Sequence, residues 1–241
     1  MDEASHSLDR LAAATGQLLA TATALSDAQA REPSLLPGWS RGHVLTHIAR
    51  NADGLGNLLR WARTGTETPM YASAESRSAD IEAGAGRPAA DLAADVRESA
   101  AAFAAEAARV PADAWAVRVR ALYGPPFPAL GVLGRRLSEV EIHHVDMGAA
   151  YSPDDWPADF VSDALPRVAA SFAGRDDMPP CVVSAEGAQG PFRLGPGQAG
   201  SPAVVIHGQP ADLLAWLLGR GDGARLTLAR GDALPELPPW G

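Results

Sequence analysis

The sequence predicts an α+β protein in which a four-helix bundle is followed by a smaller mixed α+β domain. Two observations carry this. Up to about residue 150, apolar residues recur at helical spacing in four long segments separated by breaks that contain proline and glycine. Beyond it the pattern turns to short β-type runs punctuated by the same two residues. With 241 residues, 46% of them hydrophobic, the chain is long enough to bury a core in each part. The domains are expected at residues 1–154 and 155–241.

The first helix is expected from Leu8 to Ala28, rich in alanine and leucine and ended before Pro33. The second follows Pro37-Gly38-Trp39, takes Ser40 as its N-cap and runs to Arg63 ahead of Gly65. Thr64 to Arg87, with Pro69, Gly84 and Gly86, reads as a loop, and one of that length suggests a functional role. The third helix opens at Pro88 and runs to Arg109. The fourth covers Ala129 to Ala150, after the Pro125-Pro126-Phe127-Pro128 breaker. In the second part, Ala158 to Ala173 reads as a helix despite Pro166. Strands are expected at Cys181–Val183, Phe192–Leu194, Ala203–His207 and Arg225–Ala229, and a helix from Pro210 to Gly219, with proline in its favoured first position.

Composition excludes several classes of function. A formal charge of −9 argues against nucleic acid, whose phosphates call for a basic stripe. No stretch approaches the roughly 20 apolar residues that span a bilayer. The opening Met1-Asp2-Glu3 is acidic where a secretory signal is basic, so a cytoplasmic protein is expected. The single cysteine, Cys181, excludes an internal disulfide and a multi-thiolate metal site. All 20 cationic side chains are arginine, which removes Schiff-base catalysis and a P-loop lysine. No G-x-S-x-G elbow is present.

One constellation has the makings of a metal site. Glu139 and His143 are four residues apart and share the face that also carries Val132, Met147 and Ala150, whereas Glu141 and His144 point elsewhere. In the second helix His47 borders the apolar arc centred on Val44, Ile48 and Leu55, and His43 is turned further from it. Two histidines and a carboxylate would leave an open position on zinc, as catalysis requires. Spacing alone leaves other roles open: Glu139 could pair with Arg135 or Arg136, His143 could be a hydrogen-bonded core residue, and His47 a helix-edge one.

A resemblance narrows these alternatives. Leu36-Pro37-Gly38-Trp39-Ser40-Arg41-Gly42-His43-Val44-Leu45-Thr46-His47-Ile48-Ala49 resembles the start of the second helix in DinB-like metalloproteins. Three further segments are similar to the mycothiol-dependent maleylpyruvate isomerase family: the run from Asn57 to Tyr71, Glu139-Val140-Glu141-Ile142-His143-His144-Val145-Asp146-Met147-Gly148, and the closing Pro235-Glu236-Leu237-Pro238-Pro239-Trp240 with the earlier Gly219-Arg220-Gly221. The likeness spans nearly the whole chain. It implies an N-terminal DinB-like bundle and a C-terminal domain resembling sterol-carrier proteins. It also implies zinc ligands at His47, Glu139 and His143, a catalytic arginine at Arg220 and a cleft arginine at Arg77. Many DinB-like proteins have a histidine where Glu139 stands, and that departure points to the isomerase branch.

The implied activity converts maleylpyruvate to fumarylpyruvate with mycothiol as thiol cofactor. The chain itself offers no good nucleophile, because Cys181 sits in an apolar strand-like run where a thiol is packing. Arg220 follows an apolar helix, where it either caps carbonyls or stabilises developing negative charge. The expected partners are a small-molecule substrate and a low-molecular-weight thiol, with no nucleic acid, no membrane and a monomeric chain. Two rival readings remain: a mycothiol S-transferase on the same scaffold, and a non-catalytic module that holds a lipid-like ligand.

Overall fold

The computed structural model describes residues 3–187, 190–196 and 204–240. The chain divides into two compact units, Met1–Ala150 and Tyr151–Gly241. It is an α+β protein with an N-terminal helical region and a small C-terminal sheet.

The first unit contains α1 (Glu3–Ala24), the short α2 (Asp27–Arg31), α3 (Arg41–Thr64), α4 (Ala74–Ala85), α5 (Ala89–Ala107) and α6 (Gly131–Asp146). Between α5 and α6 the two-residue strands β1 (Arg118–Val119) and β2 (Phe127–Pro128) pair antiparallel. Both α1 and α3 pack on α5 and α6, which makes these four helices the bundle. The most enclosed of them is α3, with Val44, Leu45, Ile48, Leu58 and Leu59 all without solvent exposure. Burying an aliphatic side chain of that size contributes about 1.5–3 kcal/mol. A capping box starts α3: the Ser40 hydroxyl accepts from the His43 amide and the Ser40 amide donates to His43 Nδ1 at 3.1 Å. Gly65 ends it in a left-handed conformation, φ 72°.

Two expectations are corrected here. The first expected helix breaks at Leu25, and Ser26 restarts the chain as α2 through its own capping box with Gln29. The expected loop from Thr64 to Arg87 contains α4, whose N-cap Ser73 accepts from the Ser76 amide at 3.1 Å. Only Ile81 and Ala85 of α4 are buried, so it has too small an apolar face to announce itself as periodicity. Its seat on α3 depends on glycine. A Cβ at Gly42 would come within 2.2 Å of the Ala85 carbonyl oxygen, and one at Gly84 within 2.5 Å of Thr46 Cγ2.

The second unit starts with a turn at Pro153–Asp155 and continues through α7 (Ala158–Phe172), β3 (Cys181–Ala185), β4 (Phe192–Leu194), β5 (Val204–Gly208), α8 (Pro210–Leu217) and β6 (Thr227–Arg230). The sheet order is β4-β3-β5-β6, with β3 and β5 parallel and the outer pairs antiparallel. In β3, Cys181, Val183 and Ala185 alternate inward, as the strand period requires. Helix α7 packs on α8 and β4, and α8 on β3 and β5. Despite Pro166, α7 buries Phe160, Leu165, Val168 and Phe172. Ala203, expected to open the third strand, lies outside the described residues.

Candidate metal centre

Three side chains from two helices converge in the first unit. From α3, His47 Nε2 lies 3.0 Å from Glu139 Oε2 and 3.0 Å from His143 Nε2. On α6, His143 Nε2 is 3.3 Å from the same carboxylate oxygen. The i, i+4 spacing of Glu139 and His143 stacks them on one face of α6. His47 meets them because it sits where α3 crosses that face. The two imidazole rings stand nearly perpendicular, 4.5 Å between centroids.

The donor set fits a divalent metal. The three atoms form a triangle of 3.0–3.3 Å edges. Bonds of about 2.0–2.1 Å to a tetrahedral zinc ion imply ligand–ligand edges of about 3.3 Å. Two imidazole nitrogens and a carboxylate oxygen are ligands zinc accepts, and they leave a fourth position for a substrate or cofactor atom. Among the described residues this is the single group of three or more such side chains arranged to hold an ion.

The surroundings set the protonation of each donor. Burial holds His47 neutral, with its pKa lowered to about 4; the hydrogen bond to Glu139 opposes this and the nearby His143 reinforces it. For Glu139, burial favours the neutral acid, but hydrogen bonds from His143 and His47 overcome it and keep the carboxyl well below its usual range. Burial also acts against the charged form of His143, yet Asp146 and Glu139 raise its pKa to about 9. Asp146 is 1% exposed, and its Oδ2 accepts from His143 Nδ1 at 2.8 Å. That contact keeps a proton on Nδ1, so Nε2 is the nitrogen that gives up its proton to a metal, the usual arrangement of a carboxylate behind a histidine ligand.

His47 is differently placed. Arg77 Nη2, from α4, approaches His47 Nδ1 at 3.0 Å. A guanidinium only donates, so this contact needs an unprotonated Nδ1. A neutral ring that binds metal through Nε2 has its proton on Nδ1, so metal ligation requires Arg77 to turn aside.

The other residues singled out in the sequence fall in several places. His43 caps α3 and reaches Glu82 at 3.4 Å, outside the triangle. His144 is buried against Thr21 Oγ1 at 2.8 Å, and Glu141 is buried on α6 away from the three donors. Cys181 is buried in β3, and that burial pushes its thiol up to about 11. Arg220, in the second unit, donates from Nη1 to the Leu218 carbonyl at 2.5 Å just beyond α8. It also lines a cavity of about 140 Å³ with Asp154, Asp212, Asp222 and Arg225.

Sequence reasoning passed over two residues of this neighbourhood. Asp146 was signalled by its i, i+3 spacing from His143. Arg136, considered only as an ion-pair partner of Glu139, is 1% exposed and bonds α3 instead.

Comparison with known proteins agrees along the whole length. Residues 11–148 match the family model described as the mycothiol maleylpyruvate isomerase N-terminal domain, and residues 155–239 match that of the C-terminal domain of the same family. Two similar solved structures are crystal structures of the mycothiol-dependent maleylpyruvate isomerase, one of them a histidine-to-alanine mutant. Both are 30% identical to this chain, over 99% of it and 98% of theirs, with TM-scores of 0.88 and 0.87 for the unaltered enzyme and the mutant. No curated protein sequence matches the chain.

Proposed function

This chain belongs to the mycothiol maleylpyruvate isomerase family, and we propose that it catalyses the mycothiol-dependent cis–trans isomerisation of maleylpyruvate to fumarylpyruvate at a zinc centre formed by His47, Glu139 and His143. The observation that carries the reading is the donor triangle of 3.0–3.3 Å, built by a chain that matches both domains of the family.

A carbon–carbon double bond rotates only while it is temporarily single, and conjugation to a carbonyl opens that of maleylpyruvate to addition of a nucleophile. When bound, mycothiol supplies a sulfur nucleophile whose reversible addition makes that bond single, and the metal supplies the positive charge that keeps such a sulfur ionised near neutral pH. The chain's own residues do the rest. Hydrogen bonds hold Glu139 ionised and ready for the metal, and His47, held neutral by burial, has only to shift its ring proton from Nε2 to Nδ1 as Arg77 turns aside. Asp146 orients the His143 ring and strengthens its nitrogen as a donor. Addition drives negative charge onto the substrate's carbonyl oxygen, and the proposed role of Arg77 and Arg220 is to stabilise that charge and the substrate carboxylates. Support for Arg77 is that α4 carries it to the side of the donor triangle; support for Arg220 is the likeness of Gly219-Arg220-Gly221 to the family. Cys181 takes no part, since its buried thiol stays protonated at neutral pH. The cytoplasm is the proposed setting, because a thiol cofactor needs a compartment that keeps it reduced.

The test is metal analysis of the purified protein, followed by maleylpyruvate turnover with and without mycothiol. One zinc per chain and thiol-dependent formation of fumarylpyruvate are expected. Thiol-dependent conjugation of other electrophiles, with maleylpyruvate left unchanged, would replace the isomerase with an S-transferase.

A further inference from the structure

Arg136 carries a charge in a place where a charge is costly. It is 1% exposed on α6, and burial lowers its pKa to about 10, which still leaves it charged at neutral pH. A well-packed apolar residue is often at least as stabilising in such a position as a buried charge, so stability alone is a poor reason for an arginine here. Its contacts suggest another. Nη1 donates to the Ile48 carbonyl at 2.8 Å and to Asn51 Oδ1 at 2.9 Å, both on α3. Ile48 directly follows His47, and Arg136 lies one turn before Glu139. The bonds therefore join the two ligand-bearing helices within a turn of the donor triangle. A carbonyl in the middle of a helix is already engaged by the amide four residues on, so Arg136 uses its second lone pair and reads the axial position of α3 directly.

We propose that Arg136 is a positioning residue of the metal centre: by gripping the Ile48 carbonyl and the Asn51 amide from α6, it holds His47 in register with Glu139 and His143. This rests on the metal reading of those three side chains. The reason such a grip matters is geometric, because His47 comes from one helix and its two partners from the other. A small slide of α3 along α6 opens two of the three edges of the triangle and leaves the Glu139–His143 edge intact.

The experiment compares wild type with Arg136→Met, Arg136→Lys and Asn51→Leu. Zinc affinity is read by competition with a chromophoric chelator, and ligand geometry by the visible spectrum of the cobalt-substituted protein. Arg63→Met is the control, because Arg63 on α3 pairs with Glu106 on α5 at 2.8 Å, away from the triangle. Arg136→Met should weaken zinc binding by about 10- to 100-fold, the usual effect of losing a group that orients a ligand, and should alter the cobalt spectrum while helical circular dichroism is retained. Asn51→Leu should move both readouts less in the same direction, and it decides the matter if Arg136→Met does not fold. Arg136→Lys should recover part of the affinity. Arg63→Met should lower Tm and leave affinity and spectrum as in wild type. Wild-type affinity in both Arg136→Met and Asn51→Leu, or an equal loss in Arg63→Met, overturns the proposal. A wild type that takes up no divalent metal overturns the metal reading, and this inference with it.

Discussion

His143 and Asp146 are joined across one turn of α6, Nδ1 to Oδ2 at 2.8 Å, with the carboxylate 1% exposed. The pair fixes the imidazole tautomer and turns Nε2 toward Glu139 and His47. Asp146→Asn keeps the shape but replaces a charged acceptor with a neutral amide. Zinc affinity should fall by about 10- to 100-fold, with little change in Tm for the zinc-loaded protein at saturating metal. Unchanged affinity in a chelator competition would show that Asp146 does no more than satisfy a buried nitrogen.

The two histidines of α3 should separate cleanly. His47→Ala removes a corner of the triangle, so the purified protein should carry far less than one metal per chain. His43→Ala loses the side-chain half of the α3 capping box and the contact to Glu82, keeps the Ser40 cap, and should lower stability by only about 0.5–1.5 kcal/mol while keeping its metal. Metal analysis beside thermal melts checks both, and the opposite order would assign the ligand to His43.

Metal binding should depend on pH with a definite sign. With a pKa of about 9, His143 is protonated at neutral pH, and a metal has to displace that proton, whereas His47, at about 4, has none to lose. Affinity should therefore rise with pH up to about 9 and level off, with about one proton released per zinc bound near pH 7. Calorimetry in buffers of different ionisation enthalpy measures that number, and a value near zero contradicts the raised pKa of His143.

The thiol of Cys181 should be inert. Its pKa is raised from 9.0 to about 11 by burial, so almost none of it is thiolate at neutral pH. Iodoacetamide should label it slowly in the folded protein and rapidly in denaturant, and Cys181→Ser should keep its turnover. The shift also links to stability. Between pH 9 and 11 the unfolded chain releases this proton and the folded chain retains it, so stability should fall as pH rises through that window. A chemical-denaturation series compared with Cys181→Ser isolates the effect.

Arg220→Ala should lower kcat by about 10²- to 10³-fold, the effect of losing one preorganised charge-stabilising donor. Arg220→Lys should recover only part of this, because an ammonium lacks the guanidinium fork. Metal content should stay at the wild-type level. Loss of the 2.5 Å bond to the Leu218 carbonyl should lower stability only modestly. A variant that melts much earlier yet turns over normally while folded would assign Arg220 to capping alone.

The features that are local in sequence were legible in it. Ser40 as the start of α3, Gly65 as its end, and the stacked pair Glu139 and His143 all depend on spacings of three or four residues within one helix, and helical geometry fixes those. The change of period after residue 150 likewise marked where helices give way to the mixed sheet. What the sequence could not decide was how the helices sit against one another. Whether His47 or another polar residue of α3 faces Glu139 is settled only where α3 crosses α6, and that crossing is a property of packed surfaces. Helix α4 escaped detection because it buries only Ile81 and Ala85, and its glycine at Gly84 reads as a breaker although it serves a close approach to Thr46. That packing brings Arg77 to His47, residues 30 apart in the chain. Arg136 shows the same limit. Its position one turn from Glu139 suggested an ion pair, and the tertiary structure turned it toward Ile48 and Asn51, where the buried guanidinium finds acceptors across the helix interface.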